Sequence, residues 1–345
     1  MRHRNVVWPC IIAVFGLLLV TGCTEHREGE YFFLKSEDAV MPVWVRGQMQ
    51  SRDFVVYLHG GPGETSIGFA SDGVFEPIED ENAFVAWDQR GAGSSQGNAD
   101  SESLTTAQYV DDTRELIDLI NDRFNVDRLF LVSHDYGSTI ATQFLQDQEN
   151  QAMVDGWVFV AGNYDLPRSI DLSREFILDF IDRQIERDVD TGKWENAREW
   201  YDEHPTIDTG EEYREHREFI EDANGIQKED RFDRDFLDRV ILSPDGGLAV
   251  EVNRTRSQRI FWDRSGSLDI DVTDQLQDIV VPTKVIWGRD DGLTPVPMAQ
   301  TVIDNLGTSS ADKELVILED SAHRPFLDEN EQFNDEILSF INQLK

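Results

Sequence analysis

Short apolar runs return along this chain in a rhythm that few architectures accommodate. FVVYLHG (54–60), FVAWDQRG (84–91), RLFLVSH (128–134), GWVFVAG (156–162), TKVIWG (283–288) and ELVILE (314–319) each read as a strand. YFFLKS and VWVRGQ, near the start of the body, read as an opening hairpin. Helical segments lie between the runs. Over 105–124, Val110, Thr113, Ile117, Ile120 and Phe124 fall at helical spacing and give one apolar face. Further helices are expected from about Gly137, from about Pro295, where a proline is tolerated, and from about Glu331 to Leu344. Strands alternating with helices imply an α/β fold with a mostly parallel sheet covered on both faces. In such sheets the chemistry sits at the carboxyl ends of the strands.

The rhythm stops between 163 and 270. This stretch is charged and rich in helix formers, with Phe176, Phe180, Trp194, Trp200, Tyr201, Tyr213, Phe219 and Phe236 spaced along it. It reads as a helical lid inserted between two strands, which leaves 31–162 and 271–345 as the core; the competing reading is a separate helical domain.

The N-terminus carries a different signal. Arg2 and Arg4 precede the apolar stretch CIIAVFGLLLV, and V-T-G-C follows at 20–23. A basic start, a short apolar core and small residues describe an export signal over 1–22. The V-T-G-C ending resembles a bacterial lipobox, which implies lipidation of Cys23, a tether over 23–30 and a membrane-anchored protein of the cell envelope. The only cysteines are Cys10 and Cys23, so the folded body has no disulfide, cysteine nucleophile or thiolate metal site.

The formal net charge is −37, from 68 Asp and Glu against 31 Lys and Arg. Such a surface repels nucleic acid and anionic headgroups and argues against both as partners. Self-repulsion also destabilises the fold unless salt screens it, over roughly 8 Å at physiological ionic strength. We expect adaptation to a saline environment: the thermal midpoint should rise from low to high salt, and a flat response would count against it.

One turn stands out. In FLVSHDYGSTIA (130–141), small residues lie two before and two after Asp135, at Ser133 and Gly137. A sharp strand-to-helix turn needs this, because the backbone crowds there. Ser133 and Ser138 fail the same test, so the tip is Asp135; the plain alternative is a helix-capping aspartate. WGRDDGLTP places Asp291 just past a strand, and SAHRPF places His323 just past the last one. Nucleophile, acid and histidine thus follow the order of a hydrolase triad. Asp290 and Asp165 are competing candidates for the acid.

LHGGPGE (58–64) and WDQRGAGSS (87–95) resemble the proline iminopeptidase branch of the α/β-hydrolase superfamily. The resemblance runs from about residue 43 to the end and is thinnest in the lid. It implies that the backbone N–H groups of Gly61 and Tyr136 form the oxyanion hole. That branch normally carries serine at the tip. S-H-D-Y-G is more similar to the elbows of epoxide hydrolases and haloalkane dehalogenases, where the aspartate is a nucleophile. The epoxide hydrolase likeness implies lid tyrosines that protonate the leaving oxygen, with Tyr164, Tyr201 and Tyr213 as candidates. Dehalogenases hold the halide with Trp or Asn N–H groups, and Tyr136 and Gly61 depart from that pattern. Glu211, Glu212 and Glu215 could hold a free amino terminus, as acidic residues do in iminopeptidases, but they read better as a solvated helix face.

Carboxylate chemistry decides between these likenesses. A carboxylate is ionised near neutrality and attacks without a base. Its adduct with an amide or ester would expel the carboxylate again and revert. Displacement at a saturated carbon bearing a halide or epoxide oxygen leaves a stable alkyl ester, which water activated by His323 would hydrolyse. The expected protein is an α/β-hydrolase acting through an aspartyl ester on a small molecule, epoxides ahead of alkyl halides. The alternatives are an iminopeptidase-like aminopeptidase or esterase, and a non-catalytic binding lipoprotein. No cofactor or metal is implied, and the oligomeric state is left open.

Overall fold

The computed structural model describes residues 29–97, 100, 102–228 and 247–345. The export signal and lipidated Cys23 expected from the sequence lie outside the described residues. Incorporation of labelled palmitate, abolished by Cys23→Ser, is the expected outcome that would support the anchor; no incorporation would remove it.

The strands are β1 (Glu30–Ser36), β2 (Ala39–Gly47), β3 (Asp53–Leu58), β4 (Ala83–Trp87), β5 (Gln96–Gly97), β6 (Arg128–His134), β7 (Gly156–Val160), β8 (Thr283–Gly288) and β9 (Lys313–Leu318). They form one sheet in the order β1-β2-β4-β3-β6-β7-β8-β9, with β5 paired to β2. β1 and β2 form the antiparallel hairpin, β2 joins β4 antiparallel, and every pairing from β4 to β9 is parallel. The six residues of β3 and the five of β4 and β7 are all buried, as strands covered on both faces must be. After β3 the chain turns one way to β4, and after β4 it returns to β6 on the other side of β3. The crevice beyond the ends of β3 and β6 is therefore a topological switch point, where open α/β sheets bind ligands.

Helices α1 (Thr106–Arg123) and α2 (Tyr136–Phe144) follow β5 and β6. The insertion contributes α3 (Leu166–Glu186), α4 (Thr191–Glu203), α5 (Gly210–Asp222) and α6 (Leu248–Trp262), and the core ends with α7 (Pro297–Asn305) and α8 (Asn330–Gln343). The chain leaves and re-enters the core at adjacent points: Leu166 N–H donates to the Ile270 carbonyl (2.8 Å) and Val272 N–H to that of Tyr164 (2.7 Å). Thr209 and Glu212 form a reciprocal capping box at the start of α5, which fixes where that helix begins.

Two apolar clusters sit above the sheet. One joins Tyr136 and Ile140 of α2 to Tyr213 of α5 and to Phe261 and Trp262 of α6, so the inserted helices pack on the helix that follows the tip. The other, with Ile177, Ile181, Trp194, Tyr201 and Ile220, holds α3, α4 and α5 together. At its edge His216 bridges Ser173 Oγ (2.6 Å) and Tyr201 Oη (2.7 Å). Burial pushes His216 down to about 3, so it stays neutral and tolerates this dry setting. Among the described residues no helix is long and apolar enough to cross a membrane.

Candidate active site

The turn after β6 is as sharp as its small residues require. Asp135 sits at φ 51°, ψ −124°, a conformation that costs a non-glycine residue about 1–3 kcal/mol and persists only when its surroundings hold it. A Cβ on Gly137 would lie 2.2 Å from the Leu58 carbonyl oxygen, and one on Gly60 would lie 2.7 Å from the Asp135 Cβ. Glycine at both positions lets the β3 loop close over the tip. The serines are spent elsewhere: Ser133 Oγ accepts from Trp157 Nε1 (2.9 Å) and lies 3.0 Å from Ser138 Oγ.

The two oxygens of the Asp135 carboxylate have different surroundings. Oδ2 accepts from Gly61 N–H at 3.1 Å. Oδ1 lies 3.7 Å from His323 Nε2, and among the described residues neither of those two atoms has a hydrogen-bond partner. Asp135 is only 1% exposed. Tyr136 is the first residue of α2, where a backbone amide has no partner within its own helix; its hydroxyl is turned away, 2.7 Å from Thr106 Oγ1.

His323 is held from behind. Its Nδ1 lies 3.0 Å from Asp291 Oδ2. Asp291 Oδ1 accepts from the N–H groups of Leu293 (2.9 Å) and Thr294 (2.8 Å), and Thr294 Oγ1 donates to Oδ2 at 2.8 Å. Burial works to lower the His323 pKa, but the charge and hydrogen bond of Asp291, with the charge of Asp135, raise it above the ordinary histidine value. His134, just before the tip, lies 2.9 Å through Nε2 from the His323 carbonyl. Burial, then the neighbouring His323, push it down to about 4, so it is a neutral prop for the 323 loop.

The other acid candidates have other partners. Asp165 caps α3 by accepting from Arg168 N–H (3.1 Å). Asp290 pairs with Lys228. Tyr164 Oη donates to the Met298 carbonyl (3.0 Å), and Tyr201 Oη is engaged with His216. The structure therefore does not bring these two tyrosines to Asp135. Tyr213 is different: its hydroxyl sits beside Asn163, whose backbone N–H donates to the Asp135 carbonyl (3.0 Å). Glu211 and Glu215 are exposed, and Glu212 serves the capping box.

The two loop motifs brace the site. His59 Nε2 accepts from Gln89 N–H (3.1 Å), which leaves Nδ1–H to donate to the Gly60 carbonyl (2.8 Å). Asp88 Oδ1 accepts from the N–H groups of Ser66 and Ile67, and Oδ2 from Ser94 N–H. Arg90 makes a two-pronged pair with Asp112, both fully buried; breaking such a pair from one side costs roughly 3–5 kcal/mol. H-G-G-P-G and D-Q-R-G are thus one scaffold that fixes Gly61 against Asp135.

Sequence reasoning missed Thr294, His134, Arg217 and the Arg324–Glu64 pair (2.6 Å). A cavity of about 430 Å³ is lined by Gly63, Glu64, Arg217, Glu218, Glu221 and Arg324, among others, next to the loop that touches Asp135. A larger one, about 720 Å³, lies among α3, α5 and α6 and includes none of Asp135, Asp291 and His323.

The sheet, the elbow and the acid–histidine pair define the class, a hydrolase built on an α/β core. The chain belongs to the alpha/beta hydrolase fold family, whose model matches residues 53–330. A proline iminopeptidase of Saccharolobus solfataricus is 24% identical over 303 residues, which is 84% of this chain and 85% of that protein. The probable aminopeptidase YbaC of Bacillus subtilis is 31% identical over 105 residues, 30% of this chain and 33% of its own length, so the chain matches about a third of that relative. Among solved structures, VinJ superimposes with a TM-score of 0.68 at 20% identity, covering 92% of this chain and 100% of its own. The proline iminopeptidase-related protein of Thermus thermophilus gives 0.59 at 20% identity, covering 91% and 98%. The chain is thus similar to proline iminopeptidases, and the enzyme class is hydrolase.

Proposed function

We propose that the protein hydrolyses a small organic substrate at a saturated carbon through a covalent ester on Asp135, with epoxides ahead of alkyl halides. The division of labour within the Asp135 carboxylate carries this reading. Oδ1, free and facing His323 Nε2, is the attacking oxygen. Oδ2, on Gly61 N–H, becomes the ester carbonyl oxygen and already lies where an oxyanion donor acts. When water adds to Cγ, charge develops on Oδ2, and each preorganised donor there contributes roughly 3–4 kcal/mol. His323 takes the proton from that water, Asp291 steadies the imidazolium, and collapse of the adduct returns the carboxylate and releases the alcohol. Atoms balance as substrate plus water giving a diol, or an alcohol and hydrogen halide.

The test is a single turnover in heavy-oxygen water. The first product should carry unlabelled oxygen from Asp135, and label should enter the carboxylate. Label appearing directly in the first product would overturn the reading.

A second reading, aminopeptidase or esterase chemistry, is favoured by the likeness to a proline iminopeptidase over 84% of this chain and by Glu218 and Glu221 at the cavity wall. It has to explain how a carboxylate tip forms a productive adduct with an acyl carbon. Turnover of a prolyl or p-nitrophenyl ester that survives Asp135→Ala would establish it.

A further inference from the structure

Displacement at a saturated carbon is in line: the bond to the nucleophile forms on one side while the leaving atom departs on the other, and the two must be aligned for the reaction to be fast. Asp135 attacks from the elbow, so the leaving atom emerges toward the inserted helices. What the fold places there is α5. It presents Tyr213 and, one turn on, Arg217, whose Nη1 donates to Tyr213 Oη at 3.4 Å. The Tyr213 ring packs on Trp262 (centroids 4.8 Å apart), and both rings belong to the cluster that seats the insertion on α2.

Arg217 differs from the other arginines lining this cavity. Arg214 pairs with Asp263 (2.7 Å), Arg254 with Glu251 (2.5 Å) and Arg324 with Glu64 (2.6 Å). Among the described residues Arg217 pairs with no carboxylate. Yet it is half-buried, lines the same wall as Glu64 and Arg324, and lies in the field of Asp135 and Glu64. Holding an unpaired cation in a half-dry site costs free energy. An anion that exists only during turnover would offset that cost.

We propose that Arg217, with Tyr213, receives the leaving atom of the substrate and carries the charge that develops on it. This rests on the aspartyl-ester reading above. As Asp135 Oδ1 bonds to carbon, the carbon–leaving-atom bond breaks and its electron pair goes to the leaving atom. An epoxide oxygen takes the Tyr213 proton, since an alkoxide is a stronger base than a phenolate, and Arg217 stabilises the phenolate that remains. A halide keeps its charge and is held by the guanidinium until it departs. Burial pushes the Tyr213 hydroxyl up, and Arg217 is the first of the neighbours that pull it back down. Arg217 thus opposes the effect of burial and favours release of the Tyr213 proton. One tyrosine and an arginine share here the role that the sequence reading gave to lid tyrosines.

The experiment separates the two chemical steps in rapid-quench single turnovers, using 1,2-epoxybutane, 1-chlorobutane and 1-iodobutane with the wild type, Arg217→Gln, Arg217→Lys and Tyr213→Phe. Arg217→Gln should slow adduct formation about 100-fold with the epoxide and the chloride, the size of effect seen when one charge-stabilising donor is removed. The loss should shrink with iodide, which needs less help to leave. Decay of the preformed adduct should be unchanged, Arg217→Lys should recover part of the rate, and Tyr213→Phe should slow the epoxide more than the halides. Unchanged adduct formation in Arg217→Gln, or an equal loss on both steps and all three probes, would overturn the assignment while leaving the aspartyl ester standing. Failure of the wild type to form an adduct with any probe would remove both.

Discussion

The His323→Gln enzyme should stop after half a reaction. It should consume one equivalent of substrate and gain the mass of the alkyl group on Asp135. Its turnover should fall by about four orders of magnitude, the upper range for losing a general base. Intact-protein mass spectrometry and peptide mapping read this directly. Glutamine fills much of the space of histidine but cannot take a proton from water, while the attacking Oδ1 and the Gly61 contact to Oδ2 stay as they are. An enzyme that instead loses substrate consumption altogether, with no adduct, would place His323 in the first step and sink the division of labour.

The same geometry sets the pH dependence. The groups facing His323 are Asp291, Asp135, Arg217 and His134; the two carboxylates raise its pKa against burial, and Arg217 opposes them. Alkylation turns Asp135 into a neutral ester and removes one of the two raising charges. The His323 pKa therefore falls at the moment its neutral form is needed. A base works when deprotonated, so adduct decay should drop as pH falls through the His323 pKa of the alkyl-enzyme. That value should lie below the one in the free enzyme. Single-turnover decay rates across pH, set beside an imidazole titration of the free enzyme by NMR, measure both; an alkyl-enzyme value at or above the free-enzyme value would contradict the charge argument.

Much of this was legible in the residues because steric rules govern it. A tip with positive φ needs small neighbours, and only Asp135 among the residues of that turn has them at 133 and 137. The buried strands announced themselves by unbroken apolar runs. Other features depend on where a helix lands after folding. In the run EYREHREFI the 3.6-residue period marks Tyr213, His216 and Ile220 as the buried face. It does not say that Arg217, at the edge of that face, donates to the Tyr213 hydroxyl and lies in the field of Asp135. Tyr164 and Tyr201 carry the same aromatic signal as Tyr213, and only the packing of α4, α5 and α7 shows that their hydroxyls have other partners. Thr294 was hidden for a different reason. A threonine three residues after an aspartate is an ordinary turn, and its hold on the carboxylate that faces His323 is a tertiary fact.

The Asp135→Asn enzyme should form no adduct at all, with a loss of at least about four orders of magnitude, as expected when the covalent nucleophile itself is removed. The substitution keeps the shape of the side chain, so the strained turn, the approach of Gly60 and the Gly61 contact to a side-chain oxygen are retained. What it removes is the negative charge and the attacking lone pair. The fold should therefore survive, and thermal unfolding of the variant beside the wild type checks that the loss is chemical. Removing the charge also takes away one of the two carboxylates that raise the His323 pKa, so its imidazole should titrate at lower pH than in the wild type. The two readouts together discriminate. A purely structural aspartate at the elbow would give a less stable protein with its reactions on epoxides or halides intact. An acyl-transfer enzyme with a different nucleophile would keep its ester activity. Only a carboxylate that attacks carbon predicts a stable protein, a shifted histidine and no covalent capture.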